Sequence, residues 1–228
     1  MKLFLLSLTV FLIALNLLPR TIVTITFDDG LVSEYEASKI LDSYGFKGTF
    51  YIPAGLLGGT FENNSVMNYS QVKELYNKGH EIGCHTMTHA NLSMLNETQV
   101  RYELSTCKEV LKEFNPVSFA YPYGEGTEWE SIVKEYYRSA RTLNQTINTV
   151  KGFNINTLIL VHDRMERLDK LREWLNQDGW IVLAIHGVTN QPRGLIDITP
   201  EELIQTLNII KESGADVRTV REVINGTN

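Results

Sequence analysis

The sequence is short of several things. Its 228 residues include only two cysteines, Cys84 and Cys107, so no more than one disulfide can form and packing must carry the fold. Basic residues form no cluster. The 21 Lys and Arg against 27 Asp and Glu give a formal net charge of −6, which argues against a nucleic-acid partner. No internal repeat or low-complexity tract occurs, and residues 21–228 read as one domain, long enough for a real core. Histidines number five, so any pair at a chemically useful spacing stands out.

Apart from the strands, long apolar runs are confined to the N-terminus. Leu3 to Leu18 is apolar except for Ser7, Thr9 and Asn16, with Lys2 before it and Pro19-Arg20 after it. As a helix this run would span about 24 Å, against about 30 Å of bilayer hydrocarbon. Residues 1–20 are therefore expected to be a secretory signal or an N-terminal membrane anchor, with attachment through residues 3–18. No small-x-small cleavage site marks its end, and cleavage versus retention stays open. The expected location is extracellular or at the cell surface. Six Asn-x-Ser/Thr triplets (Asn63, Asn68, Asn91, Asn96, Asn144, Asn225) fit a glycosylated exterior protein, although such triplets also arise by chance. In an exported chain Cys84 and Cys107 could bridge. Cys107 also falls in register with Val100, Leu104 and Leu111 on the core face of a helix, which suits a buried thiol equally well.

The rest of the chain alternates strands and helices. Ile22 to Phe27 alternates β-branched residues like a buried strand and ends in Asp28-Asp29-Gly30, two adjacent carboxylates and a turn glycine. Neighbouring strand side chains point to opposite faces, so the two carboxylates can hold different jobs. A helix from about Ser33 to Tyr44 follows, with Tyr35, Ile40 and Leu41 inward. Next come a strand over Gly48 to Ile52, a loop from Gly55 to Asn68 long enough to cover a site, and a helix capped by Ser70. Gly79 to Cys84 is a strand leading into His85-Thr86-Met87-Thr88-His89. A helix from Glu97 to Phe114, strands at Pro116–Ala120, Arg138–Arg141, Thr157–Val161 and Trp180–Ile185, and a Thr199-capped helix complete the pattern. Such alternation predicts parallel pairing and an α/β fold, a small, distorted or incomplete β/α barrel with the site at the C-terminal ends of its strands.

The polar clusters sit at those ends. His85 and His89 are four apart, a spacing that on a helical turn puts both rings on one side. With Asp29 as third ligand they would hold one divalent metal and leave open positions, as a catalytic site requires. Asp28 can then act as base, His186 at the end of a buried strand as acid, and the Tyr121-Pro122-Tyr123-Gly124 turn can offer a backbone N–H.

Four segments carry a resemblance: Thr-Phe-Asp-Asp-Gly (26–30), Gly-His-Glu-Ile-Gly-Cys-His-Thr-Met-Thr-His (79–89), Phe-Ala-Tyr-Pro-Tyr-Gly (119–124) and Ile-Val-Leu-Ala-Ile-His (181–186). In this order they resemble the motifs of the polysaccharide deacetylase family, the chitooligosaccharide deacetylase homology domain, over about residues 22–224. The resemblance implies hydrolysis of N-acetyl, occasionally O-acetyl, groups on an acetylated glycan. It implies a divalent metal, usually Zn2+, held by Asp29, His85 and His89, with Asp28 as base and His186 as acid. It also implies a Tyr123 amide in the oxyanion hole, Thr86 bracing the metal loop, and Tyr121, Pro122 and Leu183 forming the substrate pocket. Two features depart from the family pattern. The arginine usually found before the third motif's proline is absent, and Arg141 is the candidate replacement. The Asp-Trp motif that tunes the acid histidine is also missing, with Asp163 and Asp169 as candidates. Two rival readings follow: the same metal site hydrolysing a non-sugar amide or cyclic imide, and a catalytically silent glycan-binding protein.

Overall fold

A computed structural model describes residues 21–148, 152–194 and 196–226. The expected leader, residues 1–20, lies outside them. Among the described residues no helix is long and apolar enough to cross a membrane.

Among the described residues nine strands form one sheet, and every strand pairing within it is parallel. At its centre lies β1 (Thr21–Phe27), flanked by β10 (Gly179–Ile185) on one side and β2 (Gly48–Ile52) on the other. Beyond β2 come β5 (Glu81–Cys84), β6 (Ser118–Ala120), β7 (Ser139–Arg141) and β8 (Asn154–Ile155). Beyond β10 comes β9 (Leu158–Ile159), and β11 (Asp216–Val217) pairs with the first half of β1. The path ends at β8 and β9, so the sheet curls without closing: the expected incomplete barrel. A separate antiparallel hairpin, β3 (Thr60–Phe61) and β4 (Asn64–Ser65), stands in the long loop after β2.

Helices cover the sheet, and all but the last lie in crossovers between its strands. They are α1 (Val32–Tyr44), α2 (Tyr69–Asn77), α3 (Glu97–Val110), α4 (Glu130–Tyr136), α5 (Met165–Leu175), α6 (Pro200–Ser213) and α7 (Val220–Asn225). β1 and β2 pack Phe27 on Phe50, ring centroids 4.7 Å apart, at the heart of a core that includes Ile25, Ile52, Leu104 and Leu183. Beneath it, Glu81 is buried and accepts hydrogen bonds from Ser118 Oγ (2.6 Å), Thr49 Oγ1 (2.9 Å) and the Arg221 amide at the start of α7 (2.7 Å).

Several local expectations are corrected. The cap of α2 is Asn68, not Ser70, because Gln71 returns its side chain to the Asn68 amide in a capping box. Asn96 caps α3 in the same way, and Asn91 caps a short 3-10 turn. Three of the six Asn-x-Ser/Thr triplets thus place their Asn at a helix or 3-10 cap, a local structural reason for that residue. On α1 the buried face is Glu34, Ala37, Ser38 and Leu41, while Tyr35 and Ile40 are only half-buried. The two cysteines are free thiols, both fully buried, with Cys107 beside Cys84 on the core face of α3.

Candidate active site

The site is assembled from the ends of β1, β5, β6, β7 and β10. The Asp28 amide continues the β1–β10 ladder onto the Ile185 carbonyl (3.0 Å), which ties the first carboxylate to the strand that delivers His186. Asp29 then adopts φ 79° and Gly30 φ 66°, and this left-handed turn sends the neighbouring carboxylates to different partners. Thr86 (φ 63°), His89 (φ 60°) and Tyr123 (φ 60°) are also left-handed, so non-glycine backbone strain gathers at the site. These residues correct one expectation. His85 to His89 form no helical turn; the two left-handed residues fold the segment back, and the rings meet edge to face at 4.8 Å.

Asp29, His85 and His89 are buried, and one ligand atom from each lies within 4.8 Å of the others. Asp29 Oδ1 is 3.1 Å from His89 Nε2 and 3.7 Å from His85 Nε2. His85 donates from Nδ1 to the Ala120 carbonyl at 2.8 Å, which leaves the Nε2 lone pair facing Asp29. Burial, with the neighbouring His89 second, holds the His85 ring down to about 4, so it is a neutral donor at neutral pH. Burial pushes the Asp29 carboxyl up, but the His89 hydrogen bond and the fields of His186, His85 and His89 outweigh it and bring it down to about 2. One carboxylate and two neutral imidazoles are a donor set that fits a divalent cation. His89 Nδ1 lies 3.2 Å from the Tyr123 hydroxyl. Thr86 Oγ1 accepts the Ala90 amide at 3.0 Å and closes the loop. Glu103 of α3 takes the Met87 and Thr88 amides (2.8 and 2.9 Å) and the Thr88 hydroxyl (2.8 Å), a brace that sequence reasoning missed.

Asp28 is 2% exposed, and Arg141, 1% exposed, donates to its Oδ2 at 2.5 Å. Asp28 Oδ1 has no partner among the described residues. His186 Nε2 is 3.8 Å from Asp28 Oδ2, and its ring is the more open to solvent of the two. Asp28, Asp29, His85, His89, Tyr121, Tyr123, Arg141 and His186 therefore meet in one cavity of about 260 Å³. The β3–β4 hairpin contributes Phe61, its ring tilted against His89 with centroids 4.4 Å apart, and Glu62 to its wall. Leu183 and Pro122 are buried and do not line the cavity; Leu143 and Ile196 supply its aliphatic wall. Asp163 and Asp169 do not reach His186. The Asp163 amide pairs with Glu202, and Asp169 pairs with Arg172 on α5. The carboxylate that does reach this loop is Asp197, with Arg193; a lone Asp in a Gly- and Pro-containing loop gave no sequence signal for it.

The chain has relatives among known proteins. The polysaccharide deacetylase family matches residues 17–146, more than half of the chain. A chitin deacetylase of Arthroderma benhamiae is 29% identical over 216 residues, 89% of this chain and 51% of that protein. A peptidoglycan-N-acetylglucosamine deacetylase of Bacillus cereus is 37% identical over 109 residues, 45% of this chain and 36% of that protein. The chain thus spans about half or less of these curated relatives. The solved chitin deacetylase of Colletotrichum lindemuthianum shares the fold with TM-score 0.64 at 21% identity, over 91% of this chain and 88% of that one. A family 4 acetyl xylan esterase of Clostridium thermocellum, solved with a cobalt ion, gives TM-score 0.61 at 22% identity over 90% of both chains.

Proposed function

The chain belongs to the polysaccharide deacetylase family, and from that premise we propose that it is a metal-dependent hydrolase that removes N-acetyl groups from an amino-sugar polymer or oligosaccharide and releases acetate. Acetate esters on a glycan are the related substrates to which the same site extends. What carries the reading is the buried Asp29–His85–His89 cradle beside a second carboxylate clamped by arginine, all in one cavity.

Asp29, His85 and His89 would hold the cation, Zn2+ in this reading. Bound there, a divalent ion supplies Lewis acidity to a water and to the acetyl carbonyl. Asp28 takes the proton of the attacking water at Oδ1, the oxygen Arg141 leaves free, and Arg141 keeps the carboxylate turned toward the cavity. Charge developing on the carbonyl oxygen is met by the amide of Tyr123, a residue that lines the same cavity. His186 Nε2, across from Asp28, hands a proton to the departing amine. Tyr123, Tyr121, Phe61 and Ile196 wall the sugar. Residues 1–20 are the leader of this reading, residues 21–228 the catalytic unit, and its workplace is outside the cell, where chitin and peptidoglycan, the polymers named for its relatives, occur.

Acetate release from N-acetylglucosamine oligomers, with zinc, with chelator and with Asp28→Asn, tests the reading. Metal-dependent release that falls by several orders of magnitude in the variant, with metal still bound, is expected. Tight metal binding without release from any acetylated glycan would move the reading to another amide or to a silent binder.

A further inference from the structure

The proposed acid poses a geometric problem. Among the described residues His186 Nδ1 has no hydrogen-bond partner although it is buried, and Nε2 is 3.8 Å from Asp28, beyond hydrogen-bond range. Among the described residues no side chain therefore holds the ring by a hydrogen bond, and the backbone at residues 186–187 sets its position.

That backbone is held by one carboxylate. Asp197, 1% exposed, accepts the Gly187 amide on Oδ1 at 3.0 Å. Its remaining capacity is filled by a single residue. Arg193 donates its amide (2.9 Å) and Nε (2.8 Å) to Oδ2 and its Nη2 (2.8 Å) to Oδ1. The Gly187 carbonyl accepts the Ile198 amide and the Thr189 amide bonds back to the Ile198 carbonyl, both at 2.9 Å, so the loop leaving β10 is locked on both sides of the carboxylate. Gly187 admits this approach because it lacks a side chain: a Cβ there would sit 2.6 Å from Asp197 Oδ1. Burial pushes the Asp197 carboxyl up, yet the Arg193 hydrogen bonds bring it below the usual range, so the anchor stays charged. Arg193 also extends Nη1 to Glu62 on the hairpin (3.3 Å), an exposed contact of small energetic weight that links the loop to the opposite wall of the cavity.

We infer that Asp197, with Arg193, is the positioning residue for His186, holding the Gly187 amide so that the imidazole faces the leaving group. The inference rests on the deacetylase reading and assigns to this pair the aiming that a carboxylate on the ring itself would otherwise perform.

Leaving-group chemistry separates positioning from general stability. An N-acetyl sugar leaves as an amine and needs a proton; an aryl acetate such as 4-nitrophenyl acetate leaves as a stable phenolate and does not. Asp197→Asn is expected to lower kcat on N-acetylglucosamine oligomers about 10- to 100-fold at nearly unchanged KM, and to change aryl acetate hydrolysis less than about threefold, with zinc affinity unchanged. Gly187→Ala, which displaces the anchor without removing its charge, is expected to show the same selective loss, and it covers the case in which Asp197→Asn folds poorly. Equal losses on both substrates, or full activity on the acetamide in both variants, would overturn the inference. A wild-type protein inactive on every acetylated glycan would instead remove the deacetylase reading, and the inference with it.

Discussion

Glu34 offers the sharpest test of the electrostatics around the site. It lies in the first turn of α1, just after the Asp28-Asp29-Gly30 turn, is 0% exposed, and neither carboxyl oxygen has a hydrogen-bond partner among the described residues. Burial, then the charge of Asp29, pushes its carboxyl well above the ordinary value of 4.5, so the folded protein holds it protonated. The sign follows from linkage. The unfolded chain releases this proton near pH 4.5 and the folded chain keeps it, so stability is full below pH 4.5 and declines as pH rises toward the folded value. The loss accumulated by pH 7 has a ceiling: 2.5 pH units at 1.36 kcal/mol each, about 3 kcal/mol. Glu34→Gln keeps the shape and removes the titration. It is expected to match the wild type at pH 4 and to exceed it at pH 7 by up to about 3 kcal/mol, on the order of 5–10 °C in Tm for a chain of this size. Thermal and urea unfolding of the metal-free protein at both pH values reads this directly. A variant less stable than the wild type at pH 7, or a difference independent of pH, would refute a neutral Glu34.

Other outcomes follow from the same geometry. Tyr123→Phe removes the hydroxyl beside His89 Nδ1 and should weaken zinc binding about tenfold in a competition titration with the fold intact; unchanged affinity would leave that hydroxyl without a role at the metal. Arg141→Met leaves the Asp28 charge buried without its partner and should cost about 3–5 kcal/mol of stability, much of it recovered in the double variant with Asp28→Asn. A double variant as unstable as the single one would show that the loss is packing. Burial holds His80 down to about 4, against 6.5 in an ordinary histidine, so its contribution is complete above pH 6.5 and is lost as pH falls toward 4. His80→Asn, which can still accept the Gly48 amide, should flatten the acid side of the stability profile, and an unchanged profile would place that proton elsewhere.

Much of this protein was legible in its sequence. β-branched alternation and apolar runs located β1, β2 and β10, because a strand buried on both faces leaves little choice of residue. Asp28, Asp29, His85, His89 and His186 could be named because polar residues at strand ends in a parallel sheet have few structural reasons to be there. Local signals failed where two readings shared one pattern. Ser70 and Asn68 are both plausible caps, and only the return of Gln71 decides between them. The four-residue histidine spacing suited a helix, but left-handed Thr86 and His89 produced the same convergence by another path.

What the tertiary structure alone decided are contacts between residues far apart in the chain. Arg141 reaches Asp28 across 113 positions because β7 and β1 belong to one curled sheet. Glu103 braces the His85–His89 segment from a helix, and Asp197 anchors the residue after His186. Leu183, apolar and close to His186 in sequence, proved to be core, whereas Leu143 and Ile196 came to line the cavity. Residue type and spacing point to candidate ligands and candidate proton carriers, since few side chains can perform those tasks. The groups that orient them act through geometry, and a carboxylate or guanidinium acquires that role only once the fold has brought it within hydrogen-bond reach.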